Sequence, residues 1–461
     1  MANDLGTQQR PLRVAIVGSG PSAFYSAEAL FNSGCHVMVN MFESLPVPFG
    51  LVRYGVAPDH PKIKNVIKVY EKIAQTDGFS FFGNVQIGKD LNLHQLRKFH
   101  DAVIFACGAQ SDRRLGIQGE DLLGSHTATE FVAWYNGHPS YKNRKFDLSS
   151  NIAIVVGQGN VAMDVCRILA KTVDELKETD IAQHALDVLA ESRIKEIYVI
   201  GRRGPVQAAF TSAELRELGE LADCDPIVDP KELELNYASQ VELEDATNAL
   251  RKKNYEILKE FASRPKGTKK KKIYIQFFKS PAAFGGNDKL EKVFLEKNEL
   301  SGEPGKQKSR GTGEKETLKC GLVFRSVGYR GVPIPCVPFN DQWGGIPNSE
   351  GRVEDSEHQF SGLYCAGWIK RGPSGVIGTN KPDANQTVSH LLEDKAKLYP
   401  CKNPDNRRLV DLLNELKIRY VSFADWKKID EAEIEQGKKK EKSREKFVSV
   451  EEMLAVLGKI L

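Results

Sequence analysis

Two short runs of this sequence combine glycines and small residues at a spacing that suits a diphosphate. Gly18-Ser19-Gly20-Pro21-Ser22-Ala23 follows the β-branched apolar run 13–17 and opens a stretch of helical spacing over 21–33. Gly157-Gln158-Gly159-Asn160-Val161-Ala162 follows the apolar run 152–156 and opens a second, from about Val161 to Ala170. In the first run Gly18 permits a tight turn, and Gly20 removes a side chain where a pyrophosphate must approach the backbone. Ala23 is small enough for the helix to pack on the strand. The helix start then offers free N–H groups and the positive end of its dipole to the phosphates.

The residue that closes each βαβ unit separates the two sites. Glu43 ends the strand expected over 36–42, roughly 25 residues after Gly18, where a carboxylate accepts hydrogen bonds from ribose hydroxyls. An acid there disfavours a 2′-phosphate, so FAD or NAD is expected. The strand expected over 197–200 ends in Gly201-Arg202-Arg203-Gly204. Guanidinium forks pair bidentately with phosphate oxygens, so NADP is expected at this second turn. The spacing from Gly157 to Arg202 is about twice the usual ~20 residues. A further helical stretch over roughly 181–192 accounts for it.

These elements must be carried by more than one core. A chain of 461 residues predicts two domains, or one split by an insertion. No apolar run approaches the ~18 residues that cross a bilayer. The first residues lack an apolar signal region and are too short for an Arg-rich transit sequence. A cytoplasmic (bacterial) protein or a processed mitochondrial matrix form is therefore expected. A net charge of +4 is too weak an excess to indicate nucleic acid, but it leaves room for a local basic patch. The eight cysteines form no Cys-x-x-Cys pair, which argues against a redox dithiol, a zinc site or an iron–sulfur cluster; no metal is expected. Segment 226–272 reads as charged surface helix and loop, 299–318 as a mobile hairpin or loop, and 436–447 as a solvated charge run.

Three longer motifs resemble the adrenodoxin reductase family of NADPH–ferredoxin reductases. They are Pro46 to Pro61 (PVPFGLVRYGVAPDHP), Gly201 to Pro205 continuing through Phe210 to Glu217, and Gly367 to Asn380 (GWIKRGPSGVIGTN). The likeness runs from about residue 12 to 420. It implies an α/β fold with two Rossmann-like dinucleotide-binding domains, glutathione-reductase-like. The FAD domain is expected at 1–115 and 330–461, with the NADP domain, 116–329, inserted between; 326–330 resembles the return strand. By the same resemblance Ser22, Glu43, Leu51 and Ile87 line FAD, beside Gly18 and Gly20 of the turn. Gln158, Gly159, Asn160 and Val161 hold the NADP pyrophosphate, and Arg202, Arg203 and Glu214 its 2′-phosphate end. Trp368, Gly375, Val376 and Ile377 are implied to contact the flavin ring, and His60 and Asp164 to handle protons near it.

The implied activity is hydride transfer from NADPH to FAD, then single electrons to a 2Fe–2S ferredoxin. Arg216, Arg251, Lys252 and Lys253 lie where the family has a basic docking surface. A polar, helical segment from Lys381 to Val388 would aim its N-terminus at the flavin and stabilise negative charge there. Other readings are an FAD/NADP-binding oxidoreductase subunit, a flavin monooxygenase and a nucleotide-sensing protein. A disulfide reductase would need a cysteine pair, which is absent.

Overall fold

Leu12–Val17 is buried along its whole length and forms an inner strand of a seven-stranded sheet. In the computed structural model, which describes residues 4–265, 267–355 and 359–459, this strand pairs in parallel with Val37–Phe42 on one side and Ala102–Phe105 on the other. Phe79–Phe82 and Gln359–Cys365 extend the sheet in parallel, and Arg352–Glu354 and Asn348–Ser349 finish it antiparallel. A second sheet repeats the layout. Ile152–Val156 is its inner strand, between Glu196–Ile200 and Leu322–Arg325. Its six strands are all parallel. The protein is thus α/β, with two Rossmann-like sheets whose inner strands each end at a topological switch point, the place where open α/β sheets bind ligands.

Every strand of the second sheet falls between residues 125 and 325, in the middle of the chain that builds the first. The two passes between sheets lie side by side, because Ser111–Asp112 pairs antiparallel with Tyr329–Arg330. The helix Pro21–Phe31 packs along Asn380–Glu393 and buries Phe24 against Phe49 and Tyr70. Burial of a Phe side chain contributes about 2–3 kcal/mol. Here it also fixes the loop at Phe49–Gly50 over the first turn, where Phe49 N donates to Ser19 O at 3.0 Å.

Segment 226–272 does contain helices, Tyr237–Glu244 and Ala249–Ser263, but it also overlaps two strands of the second sheet, Cys224–Val228 and Lys271–Gln276. Cys224–Val228 is the sheet edge, so Pro226 costs no ladder bond. Segment 299–318 is a hairpin between Lys292–Ser301 and Lys308–Lys319. The charge run 436–447 is not a solvated face: Lys442, Glu445 and Lys446 are buried. Each has a partner elsewhere in the chain. Lys446 Nζ lies 3.1 Å from Asp180, which also holds Lys64 at 2.6 Å, and Lys442 Nζ donates to Ile181 O. Just upstream, fully buried Glu433 takes Arg53 and Arg444. This C-terminal strap runs from the first sheet's helices to the second's. Among the described residues no helix is long and apolar enough to cross a membrane.

Candidate functional site

The two glycine-rich turns are built the same way. Gly18 N donates to Phe42 O at 2.8 Å and Gly157 N to Ile200 O at 2.9 Å, which ties each turn to the strand it must close with. Both first glycines have positive φ, 107° and 125°. On the opposite flank a side chain at Gly18 would meet Ala106 O at 2.5 Å, and one at Gly157 would collide with Ser326 O. The strand across the switch point therefore demands glycine in both. The middle glycines serve a different need. Around Gly20 and Gly159 nothing lies within 4 Å of where a Cβ would stand. Each leaves open space directly above backbone at a helix start, the cradle that a pyrophosphate needs. The residues present fit a dinucleotide at both turns.

Glu43 stands at the first turn with its carboxylate already oriented. Oε2 accepts from Ser19 Oγ at 2.6 Å; Oε1 accepts from Ser44 Oγ at 2.8 Å and Leu45 N at 3.1 Å. Ser22 is buried, and its Oγ would lie 2.5 Å from a Cβ at Gly367, so the 366–380 segment closes against the same turn. Leu51 opens the short helix Leu51–Tyr54 and is 37% exposed. Ile87 is buried, its side chain in the apolar cluster with Phe42 and Val85. Trp368 donates from Nε1 to Ser374 O and packs on Tyr329 at 5.3 Å. Gly375 has φ 81°, where a side chain would strike Thr379. Val376 is exposed and Ile377 half-buried, and the helix expected from Lys381 spans Asn380–Glu393. The 43–51 loop and the 366–378 segment thus both close against the first turn.

At the second turn, Gln158 folds back over Gly201 and donates from Nε2 to Gln276 O at 2.8 Å. Asn160 Oδ1 accepts from Thr211 N, and Gln158 O from Ala209 N, so the 208–211 loop forms one wall. Val161 is half-buried on the turn's helix. Arg202 and Arg203 are exposed, with no carboxylate ion pair at either among the described residues. Burial and the neighbouring Arg202 and Arg251 charges hold Arg203 below its ordinary pKa.

Glu214, expected with Arg202 and Arg203 at the 2′-phosphate end, lies in a charged cluster around Arg167, 3.0 Å from Nη1. Arg167 is buried and has the reach to bond every acid present. It holds Asp59 through Nε at 2.7 Å, Asp164 through Nη2 at 2.6 Å and Glu217 through Nη1 at 3.2 Å. His60 Nε2 bonds Glu217 Oε2 at 2.7 Å, while Nδ1 stands 4.0 Å from Asp164 and 3.9 Å from Glu214. The proposed pair His60 and Asp164 is thus brought together, but through Arg167 rather than by a direct bond. Glu217, Asp59 and Arg167 were missed from sequence. Their signal was spacing: Asp164 with Arg167 and Glu214 with Glu217 are i,i+3 pairs on helices Asn160–Ala170 and Ser212–Glu220, and Asp59 adjoins His60. His60, Asp164 and Glu214 lie close enough to share a cation, but the guanidinium already fills that role.

The cluster sets four carboxyls against Arg167, Lys171 and one imidazole, so it holds protons readily. Burial raises Asp164 despite Arg167 and His60. Burial, reinforced by Asp164, pushes Glu214 up to about 7. Burial opposes the imidazolium of His60, but the Glu217 hydrogen bond together with the Glu214 and Asp164 charges raises its pKa. Burial likewise opposes ionisation of Glu217, yet His60 and Arg167 lower its pKa. A raised carboxyl favours folding while protonated; that stability is lost as pH rises through about 7. His60 acts in the same direction. Glu214→Gln should therefore lose less stability, or gain more, than the wild type on going from about pH 5 to 8, by roughly 1–3 kcal/mol in urea unfolding. Wild-type and variant stabilities that stay parallel across that range would refute the assignment to Glu214.

Two dinucleotide cradles on two sheets, one closed by a carboxylate and the other by two guanidiniums, with a proton-holding cluster beside the second, define an oxidoreductase that couples two dinucleotide cofactors. No family model matches the chain. NADPH-ferredoxin reductase FprA of Mycobacterium tuberculosis is 44% identical, covering 97% of this chain and 99% of its own length. The mitochondrial NADPH:adrenodoxin oxidoreductase of Arabidopsis thaliana is 42% identical over 97% and 95%, and the human protein of that name 41% over 98% and 93%. The solved structure of Mycobacterium tuberculosis FprA in complex with NADPH superposes with a TM-score of 0.90. The chain belongs to the NADPH–ferredoxin (adrenodoxin) reductase family, whose cofactors are FAD and NADP.

Proposed function

We propose that this chain is an FAD-dependent NADPH–ferredoxin reductase that takes a hydride from NADPH and passes electrons singly to a 2Fe–2S ferredoxin. The observation that carries the reading is the contrast between Glu43 at one open turn and Arg202 with Arg203 at the other. When bound, FAD accepts the electron pair of a hydride and returns it one electron at a time. The chain's own residues bind and orient. Gly18, Gly20 and Ser22 admit the FAD pyrophosphate, and Glu43, fixed by Ser19 and Ser44, takes its ribose hydroxyls. Leu51, Ile87, Trp368 and Gly375 to Ile377 line the rest of that site. The free N–H end of helix Asn380–Glu393 favours negative charge on a ring seated there. Gln158 to Val161 receive the NADP pyrophosphate, and Arg202 and Arg203 the 2′-phosphate. His60 holds a proton on Nε2 against Glu217, and Asp164 and Glu214 buffer it.

The domain division 1–115 with 330–461, and 116–329 between, is supported by the paired link at Ser111–Asp112 and Tyr329–Arg330. The compartment is the bacterial cytoplasm or the mitochondrial matrix. The ferredoxin docks on Arg216, Lys252 and Lys253, all exposed, on helices joined by the Ser212–Asn254 hydrogen bond. Arg251, expected in that patch, is already paired with Glu242.

The test is NADPH-driven cytochrome c reduction with and without an added 2Fe–2S ferredoxin. Ferredoxin should raise the rate; oxygen uptake that depends on an organic substrate would instead indicate a monooxygenase. Arg216→Glu combined with Lys253→Glu should raise the KM for ferredoxin about tenfold and weaken its salt dependence, since opposite charges steer encounter. NADPH-to-ferricyanide turnover should stay unchanged. An unaltered ferredoxin KM rejects the patch.

A further inference from the structure

Glu242 is buried in the second half of the molecule and accepts four hydrogen bonds. Oε1 takes Gln307 Nε2 at 3.0 Å and Gly305 N at 2.7 Å; Oε2 takes Gln207 Nε2 at 3.1 Å and Arg251 Nη1 at 2.8 Å. Gln207 in turn accepts Arg203 Nη2 on its carbonyl at 3.2 Å. Arg203 and Arg251 are therefore fixed to opposite ends of one glutamine, Arg203 directly and Arg251 through Glu242. The turn at Gly305 and Gln307, from the hairpin, closes the network on its far side. Helix Ala249–Ser263, which carries Arg251, packs against Pro205–Gln207, the turn that follows the two arginines.

The charge balance sets the role. Three guanidiniums meet here, and among the described residues Glu242 is the one carboxylate bonded into the network. Glu242 engages a single nitrogen of Arg251, and the other N–H groups of that side chain have no partner among the described residues. A docking residue is a mobile, solvated charge; Arg251 is held at its tip by a buried acid.

We infer that Arg251, oriented by Glu242, is a third positive charge of the 2′-phosphate site and a determinant of NADPH over NADH, not a member of the ferredoxin surface. The inference rests on the reading of Arg202 and Arg203 as that site. Planar forks of this kind suit phosphate better than a point charge, and a half-buried cation is screened less than a surface one.

The experiment measures NADPH and NADH turnover with ferricyanide as acceptor, and inhibition by 2′-AMP against 5′-AMP. The holoenzyme is compared with Arg251→Gln and Arg251→Lys. The glutamine variant should raise the KM for NADPH and the Ki for 2′-AMP about 5- to 20-fold, with kcat, the KM for NADH and the Ki for 5′-AMP within twofold. The lysine variant should recover part of the loss. Equal losses with both nucleotides mark a structural role and overturn the inference. So does an unchanged NADPH KM together with a raised KM for ferredoxin. A wild-type protein that uses NADH as efficiently as NADPH overturns the reading of Arg202 and Arg203 as the 2′-phosphate site. A wild type that prefers NADPH, beside an unaffected Arg251→Gln, overturns this assignment alone.

Discussion

Replacing Arg202 and Arg203 together by alanine should lower kcat/KM for NADPH roughly 10²- to 10³-fold, with kcat/KM for NADH within a few-fold of wild type. Each guanidinium offers a charge-assisted fork to the 2′-phosphate, worth about 1.5–2 kcal/mol, and each 1.4 kcal/mol is a factor of ten. Neither side chain holds a carboxylate whose loss would disturb the fold, and both are exposed. The bound-flavin spectrum and thermal midpoint should therefore stay where they are. The deciding quantity is the NADPH-to-NADH ratio. If the double variant keeps it, the second turn does not select its nucleotide through these residues.

Arg167→Met should cost roughly 3–5 kcal/mol of stability, because it leaves buried carboxylates without their cation. Four acids depend on this side chain, and three of them, Asp59, Asp164 and Glu214, are themselves largely buried. Asp59 makes the case sharply: burial alone would raise its pKa, yet Arg167 and Lys171 hold it well below the carboxylate range. Without Arg167 the acids can relieve the penalty by binding protons. The loss should therefore be smaller at pH 5 than at pH 8, measured by urea unfolding of the holoenzyme. Arg167→Lys should fall between, since one ammonium cannot reproduce the fork that spans Asp59, Asp164 and Glu214. A loss that is independent of pH would mean that packing, not charge, is what Arg167 supplies.

What could be read from the sequence was what is encoded locally. Gly18 and Gly157 are forced by backbone across the switch point, at Ala106 and Ser326, but each sits inside its own recognisable strand–turn–helix run. Glu43 and Arg202 come at fixed places after that run, so their roles could be reasoned without a structure. The His60 cluster could not, because it draws on three segments, the first over 100 residues from the other two. Only the family likeness drew attention to His60, Asp164 and Glu214, and it did not show that they meet around Arg167. The strap at 436–447 failed for a related reason. Lys446 reads as a surface charge until Asp180 is found beside it, and no periodicity links the two. Cys224–Val228 was passed over because its proline and aspartate look unlike a strand, which an edge position tolerates.

The paired link at Ser111–Asp112 and Tyr329–Arg330 has a mechanical meaning. Two tethers lying side by side act as the pin of a hinge: they permit swing about one axis and resist other relative motion. The C-terminal strap, fastened at Asp180 and Ile181, is a brace set away from that pin. A pin with an off-axis brace is a triangulated frame, and it should stiffen rotation about the pin. The distance between the two cradles then varies less than two tethers alone would allow, like the gap in a caliper with its screw tightened.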